Sequence, residues 1–286
     1  MSRIGVIGGS GLYDIEGIKI KDSLKVTTPF GDPSDELVIG ELNGKEVVFL
    51  PRHGKGHRIN PSRINYRANI YAMKKLEAEW IISLSACGSL KEEIRPLDFI
   101  IPLQFVDRTN QARKYTFFDE GITAHISFSH PVCSDLANLV HDIAKDGEAT
   151  VHLGGTYLNM EGPQFSTLAE SNLYRSWGMD IIGMTNMAEA RLAREAEICY
   201  VTLAAVTDYD CWRESEEAVS VDAIISNLKK NVENSKKILK DVVSRIPGKR
   251  NCGCKDALKY AIITDPKAIS KKEKSRLDIL IGKYVK

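Results

Sequence analysis

The run Ile198 to Val206 is dominated by apolar side chains and stops abruptly at Thr207-Asp208-Tyr209-Asp210. Such a run reads as a buried strand, and the polar end of a buried strand is where α/β sheets build their sites. If extension continues past it, the i, i+2 spacing turns Asp208 and Asp210 to the same side. A carboxylic acid there can donate a proton to a leaving heteroatom, and a carboxylate can accept from an exocyclic amine. The same four residues would also serve as a helix N-cap with an acidic first turn.

The rest of the chain alternates in the same way. Arg3–Ile7 reads as a strand running into Gly8-Gly9-Ser10-Gly11, and Leu37–Leu42 and Glu46–Leu50 flank the hairpin signal Asn43-Gly44-Lys45. Further strands are expected at Trp80–Ala86, Phe99–Val106, Val151–Met160 and Ile181–Met184. Helices are expected from Pro61 to about Glu77, after Pro131, from about Ser166, over Met187–Glu195 and over Ser220–Arg245. This order predicts an α/β fold, a three-layer sandwich with a central mixed sheet flanked by helices. At 286 residues one large core suffices. Ile246-Pro247-Gly248 divides a body, residues 1–246, from a short helical tail, residues 247–286, which is not expected to be an independent domain.

Charge excludes more than it assigns. The net charge of +1 gives no global reason to expect nucleic acid. Residues 249–286 hold eleven Lys or Arg against four Asp or Glu, but interleaved acids and apolar residues favour a solvated helical face. No segment approaches the ~20 apolar residues of a membrane span. The N-terminus has no signal-peptide pattern, so a cytoplasmic protein with mostly reduced cysteines is expected.

Four further segments sit where strands end. Gly8-Gly9-Ser10-Gly11 offers bare amides and a hydroxyl to an anion, or is a plain tight turn, and fails the G-x-G-x-x-G pattern of dinucleotide sites. Arg52-His53-Gly54-Lys55-Gly56-His57-Arg58 gathers cations suited to phosphate, or forms a solvated basic loop. His53 and His57 at i, i+4 do not imply a metal, because the glycines oppose the helix that spacing needs and no third ligand follows. Ser83 to Ser89 ends a strand in small hydroxylic residues, and Cys87 within it has no partner base. Glu161-Gly162-Pro163-Gln164-Phe165-Ser166 joins a strand to a helix, with Ser166 a candidate cap and Phe165 either core or a shelf for an aromatic ligand. Met184-Thr185 precedes another helix start, with Glu189 close behind.

In order, the motifs IGGSGL, PRHGKGH, ACGSL, EGPQFS, GMTNMAEA, TDYDCW and EEAVSVD resemble the trimeric purine nucleoside phosphorylase superfamily over about residues 3–245. The likeness is greatest to its S-methyl-5′-thioadenosine phosphorylases. This resemblance implies phosphate held by Ser10, Arg52, His53, Ser85, the Ala86 amide and Thr185. Ser10 and Ser85 stand where many members carry Thr. Met184 would pack beneath the ribose, Phe165 and Ser166 would border the base, and Asp208 and Asp210 would read it. His57, Val221, Ile224 and Ile225 would line the 5′-substituent pocket. His125 would enter a neighbouring subunit's site, which implies a homotrimer or a dimer of trimers. Two departures are Ala188 in place of a frequent Pro and Gln164 in place of a frequent Arg.

The implied reaction is phosphorolysis of S-methyl-5′-thioadenosine to adenine and 5-methylthioribose 1-phosphate, with Asp208 as general acid toward purine N7. It needs no metal and no organic cofactor, only phosphate as co-substrate. The rivals are a 6-oxopurine phosphorylase (inosine, guanosine or methylthioinosine), a catalytically silent nucleoside sensor and, last, a nucleotide-dependent oxidoreductase. The pair Cys252-Gly253-Cys254 leaves idle thiols, a partial metal site and a redox pair open. A metal would want ligands from outside the tail, which holds no histidine and no other cysteine.

Overall fold

The computed structural model describes residues 3–9, 15–110, 112–213 and 221–285, with the side chains of 221–225 outside the description. Its first half runs β1 (Arg3–Gly8), β2 (Lys19–Leu24), β3 (Leu37–Leu42), β4 (Lys45–Pro51), α1 (Tyr66–Lys75), β5 (Ala78–Ser89), β6 (Phe99–Ile101) and β7 (Gln104–Arg108). There follow α2 (Ser134–Ala144), β8 (Val151–Leu153), β9 (Thr156–Met160), α3 (Leu168–Ser176), β10 (Ile181–Gly183), α4 (Asn186–Glu195), β11 (Cys199–Asp208) and α5 (Val221–Arg245). The tail adds a 3-10 turn at Gly253–Asp256, α6 (Lys271–Arg276) and α7 (Asp278–Ile281).

One mixed sheet takes all the strands. Its path is β2-β3-β4-β1-β5-β10-β9-β7, and β11, β6 and β8 branch from β5. β1 and β11 pair parallel to β5 on opposite sides, which makes these three strands the centre. Their side chains are buried almost throughout, as both-face coverage requires. On one face Ile70 of α1 and Leu192 of α4 pack with tail residues Leu258, Leu277 and Leu280. On the other, Leu136 and Val140 of α2 meet Leu239 and Val242 of α5. The expected three-layer sandwich is what the chain adopts. The tail's apolar residues share the body's core, so it is no surface appendage.

Local differences from the sequence reading have plain causes. The expected strand at 99–106 is two strands, split at Pro102, which lacks an N–H for the ladder. The expected strand at 151–160 splits at Gly154-Gly155, whose φ values are +113° and +82°. Pro61 opens only a 3-10 turn; Asn65 caps α1 by accepting from the Ala68 amide. Thr167, not Ser166, caps α3, in a reciprocal capping box with Glu170.

The site-forming feature is the far end of β5. It pairs β11 as far as Gly88 and pairs antiparallel β10 at Gly88 and Ser89. The sheet forks there, and a cavity opens at the fork.

Candidate active site

The cavity measures about 670 Å³ and takes its walls from every segment flagged at a strand end. Gly9, Arg52, His53, Ser85, Ala86 and Thr185 lie on it, as do Met184, Phe165, His57, Asp208 and Asp210. Ser10 lies outside the described residues, as do the side chains of Val221, Ile224 and Ile225. Ser166 does not line it; its carbonyl accepts from Cys211 Sγ at 3.4 Å. His125 is exposed and away from its own chain's cavity.

Arg52 follows β4 and is buried. Its Nε donates to Glu189 Oε1 at 2.5 Å, Nη2 to Ser83 Oγ at 2.6 Å and to Glu189 Oε2 at 3.3 Å, and Nη1 to the Leu84 carbonyl at 3.0 Å. The guanidinium fork therefore clamps Glu189 rather than standing free for phosphate, and an Nη1 hydrogen remains for a ligand. Burial works against the Arg52 charge, but the Glu189 carboxylate beside it outweighs this and raises the Arg52 pKa. Around it Ser83 Oγ and Tyr200 OH donate to Glu189 Oε2 at 2.7 and 2.9 Å, while Asn186 Nδ2 donates to Ser83 and Thr202.

The loop after Arg52 is shaped by Gly54 and Gly56 at φ +70° and +76°. His53 Nδ1 donates to the Ile59 carbonyl at 2.8 Å, leaving Nε2 as an acceptor. Burial, then the Arg52 charge, lowers the His53 pKa to about 4, so the ring is neutral in ordinary buffers. The His57 ring stacks on it at 4.1 Å. Parallel stacked rings in a glycine loop are not the shared-ion geometry of a helical i, i+4 pair.

Thr185 is the N-cap residue of α4 and lines the cavity with its hydroxyl unused for capping, while Asn159 Oδ1 accepts from the Met187 amide at 3.1 Å and takes up one donor of that helix start. The turn before it is held by Asn159 Nδ2 and Arg113 Nη1, which both donate to the Met184 carbonyl, at 3.2 and 2.5 Å.

At the opposite wall β11 ends. A bulge interrupts its register between Val206 and Asp208, which re-aims the carboxylate. Extension does not continue: Asp210 is left-handed, φ +51°, and its N–H donates back to Asp208 Oδ1 at 2.8 Å. Both carboxylates face the cavity by this turn, not by strand alternation. Thr207 Oγ1 donates to Asp208 Oδ2 at 2.7 Å. Burial outweighs these two bonds and raises the Asp208 pKa. Gly88 makes room, since a Cβ there would sit 3.1 Å from Asp208 Oδ1. From α5, Asn227 and Asn231 donate to the Thr207 and Val206 carbonyls at 2.9 and 2.8 Å, pinning the strand end.

The family model described as the phosphorylase superfamily matches residues 3–244. The chain belongs to this superfamily. It is 60% identical over 282 residues, 99% of each chain, to an S-methyl-5′-thioadenosine phosphorylase of Geobacter sulfurreducens, and 54% identical to one of Koribacter versatilis, over 99% of this chain and 97% of that one. Among solved structures, a methylthioadenosine phosphorylase from an antarctic soil metagenomic library superposes with a TM-score of 0.93 at 48% identity, covering 98% of each chain. The Schistosoma mansoni methylthioadenosine phosphorylase in complex with adenine gives 0.84 at 37% identity, covering 91% of this phosphorylase-superfamily chain and 96% of that one.

The sequence reading missed the supports of the site. It noted Glu189 without a role, read Ser83 only as part of a hydroxylic strand end, and passed over Asn186, Tyr200, Asn159 and Arg113. Among the described residues α5 contributes Leu228, Asn231, Val232 and Ser235 to the wall.

Proposed function

We propose that the protein catalyses phosphorolysis of S-methyl-5′-thioadenosine, giving adenine and 5-methylthioribose 1-phosphate. The observation that carries this reading is one cavity with two chemical ends. The first is an anion end: Gly9, Ser85, Ala86, neutral His53 and Thr185 at the start of α4. The second is the carboxyl of Asp208, whose pKa burial raises.

Cleavage of the N-glycosidic bond builds positive charge on the ribose and negative charge on the purine. Phosphate beneath the sugar stabilises the first and attacks its anomeric carbon. Asp208 in its acid form donates to purine N7, directly or through water, and Asp210 completes the base edge. Phe165 supplies a stacking face and Met184 an apolar floor for the ribose. His53 Nε2, an acceptor, takes the hydrogen of a protonated phosphate oxygen. The chemistry requires no metal or organic cofactor. We assign it to the cytoplasm; among the described residues no helix is long and apolar enough to cross a membrane.

Incubation with the nucleoside should release adenine only when inorganic phosphate is present, with the sugar recovered as its 1-phosphate. Release at an equal rate without phosphate would make the protein a hydrolase and end this reading.

We further infer a homotrimer. Phe165 stands 73% exposed on the rim of the cavity, and His125 is exposed on a segment that does not line that cavity among the described residues. A neighbouring copy bringing His125 to that rim would close the base and 5′ sides. Sedimentation at assay concentration should give three chains per particle; a fully active monomer would reject the shared site.

A further inference from the structure

Away from the active-site cavity, four of the six cysteines converge. Cys133 is the residue before α2, Cys199 begins β11, and Cys252 and Cys254 flank the start of the 3-10 turn in the tail. Their sulfurs all lie within 4.8 Å of one another, and Cys199 and Cys252 are 3.2 Å apart. Cys133, Cys199 and Cys254 are buried, and Cys252 is half-buried.

We propose that these four cysteines bind one structural Zn²⁺ as a tetrathiolate. A tetrahedral zinc with Zn–S bonds of ~2.3 Å sets sulfurs ~3.8 Å apart, so all six distances must be short together, as they are here. Apolar packing asks for no such convergence, and a disulfide joins sulfurs only in pairs, so it gives no reason for all four to meet. Each ligand also comes from a well-held backbone. The Cys133 amide donates to the Tyr200 carbonyl at 3.0 Å, which ties α2 to the start of β11. Arg250 Nη1 donates to the Glu197 carbonyl at 2.5 Å, which ties the tail to the turn that leads into β11, two residues before Cys199. Metallation releases the four thiol protons and leaves a site charge of −2, in a stretch of sequence that also carries Lys249, Arg250 and Lys255.

The ion would staple the tail where the tail matters to assembly. Beyond the staple, the Ala261 carbonyl accepts from the His125 amide at 2.8 Å and Ile263 N donates to the Thr123 carbonyl at 3.0 Å. The zinc thus orders, through the tail, the segment that carries His125. This inference does not depend on which nucleoside is cleaved.

The full-length chain, expressed with zinc in the medium and dialysed against a metal-scavenging resin, should retain one zinc per chain by elemental analysis. Exchange with Co²⁺ should give intense thiolate-to-cobalt charge transfer and the strong ligand-field bands of a tetrahedral centre. Cys252→Ser with Cys254→Ser should abolish retention, and exposed Cys211→Ser should keep it. Should the double variant fail to fold, the cobalt spectrum of the unaltered protein still decides. Metal-free protein with four free thiols, or a non-reducing mass lower by the hydrogens lost to disulfides, would overturn the proposal.

Discussion

Asp208→Asn is expected to invert base preference rather than simply silence the enzyme. The substitution keeps shape and local anchoring. Asn Oδ1 can still accept from the Asp210 amide, and Thr207, which also donates to the Cys87 carbonyl at 3.2 Å, can accept from the new amide. What changes is the edge shown to the purine. Adenine carries a donor at C6, matched by a carboxylate, whereas a 6-oxopurine carries an acceptor there, matched by an amide. Loss of the acid should reduce kcat/KM for S-methyl-5′-thioadenosine by ~10²–10⁴-fold. The mismatch reversal, at about 1–3 kcal/mol, should shift the ratio toward methylthioinosine by a further ~5- to 150-fold. The pH profile gives a second readout. Burial raises the Asp208 pKa, so the proton-donating form is lost as pH rises through it and kcat/KM should fall on that limb. His53 adds no limb near neutrality, having lost its proton above a pKa of about 4. The native state also holds the Asp208 proton more tightly than the unfolded chain, so stability declines over the same rise, and Asn removes that slope. Equal losses on both nucleosides would show that Asp208 does not read C6.

The sheet's centre was legible because its strands obey the simplest rule. Arg3–Ile7, Trp80–Ala86 and Ile198–Val206 are apolar and closely bounded, and they became β1, β5 and β11. The Asn43-Gly44 hairpin was equally plain, with φ of +50° and +75° at the two residues. β2 was not. Lys19–Leu24 is an edge strand pairing with β3, and its charged, exposed face carries no alternation. For the site, the sequence located which strand ends would converge but not what each side chain would touch. Arg52 looked like a free phosphate ligand because Glu189 stands far away in the chain. One signal was available: Ser83, Tyr200 and Thr202 are polar interruptions of buried strands, and Tyr200 and Thr202 share a face at i, i+2. Polar groups so placed need partners, and here the partners are Glu189 and Asn186. The cysteine cluster was illegible for a related reason, since Cys133 and Cys199 join the tail's pair only through the tertiary fold.

Arg52→Ala is expected to do two separable things. It removes a donor from the anion end of the cavity, which should raise the KM for phosphate far more than that for nucleoside, by an amount set by one charge-assisted contact of ~1.5–3 kcal/mol. It also strands Glu189, which is buried and would keep Ser83 and Tyr200 as donors but lose its counter-charge. Breaking a buried pair from one side costs roughly 3–5 kcal/mol. The thermal midpoint should therefore drop sharply, together with phosphate affinity. Adding Glu189→Gln to Arg52→Ala separates the effects. The amide keeps a carbonyl for Ser83 and Tyr200 and removes the stranded charge, so most of the lost stability should return. Phosphate KM should not return, because nothing replaces the Nη1 donor. A single variant that melts like the unaltered protein would show the ion pair contributes nothing to the fold. A double variant that regains phosphate affinity would show that Arg52 acts only by neutralising Glu189, and that phosphate rests on the Gly9 turn, His53, Ser85, Ala86 and the start of α4 alone.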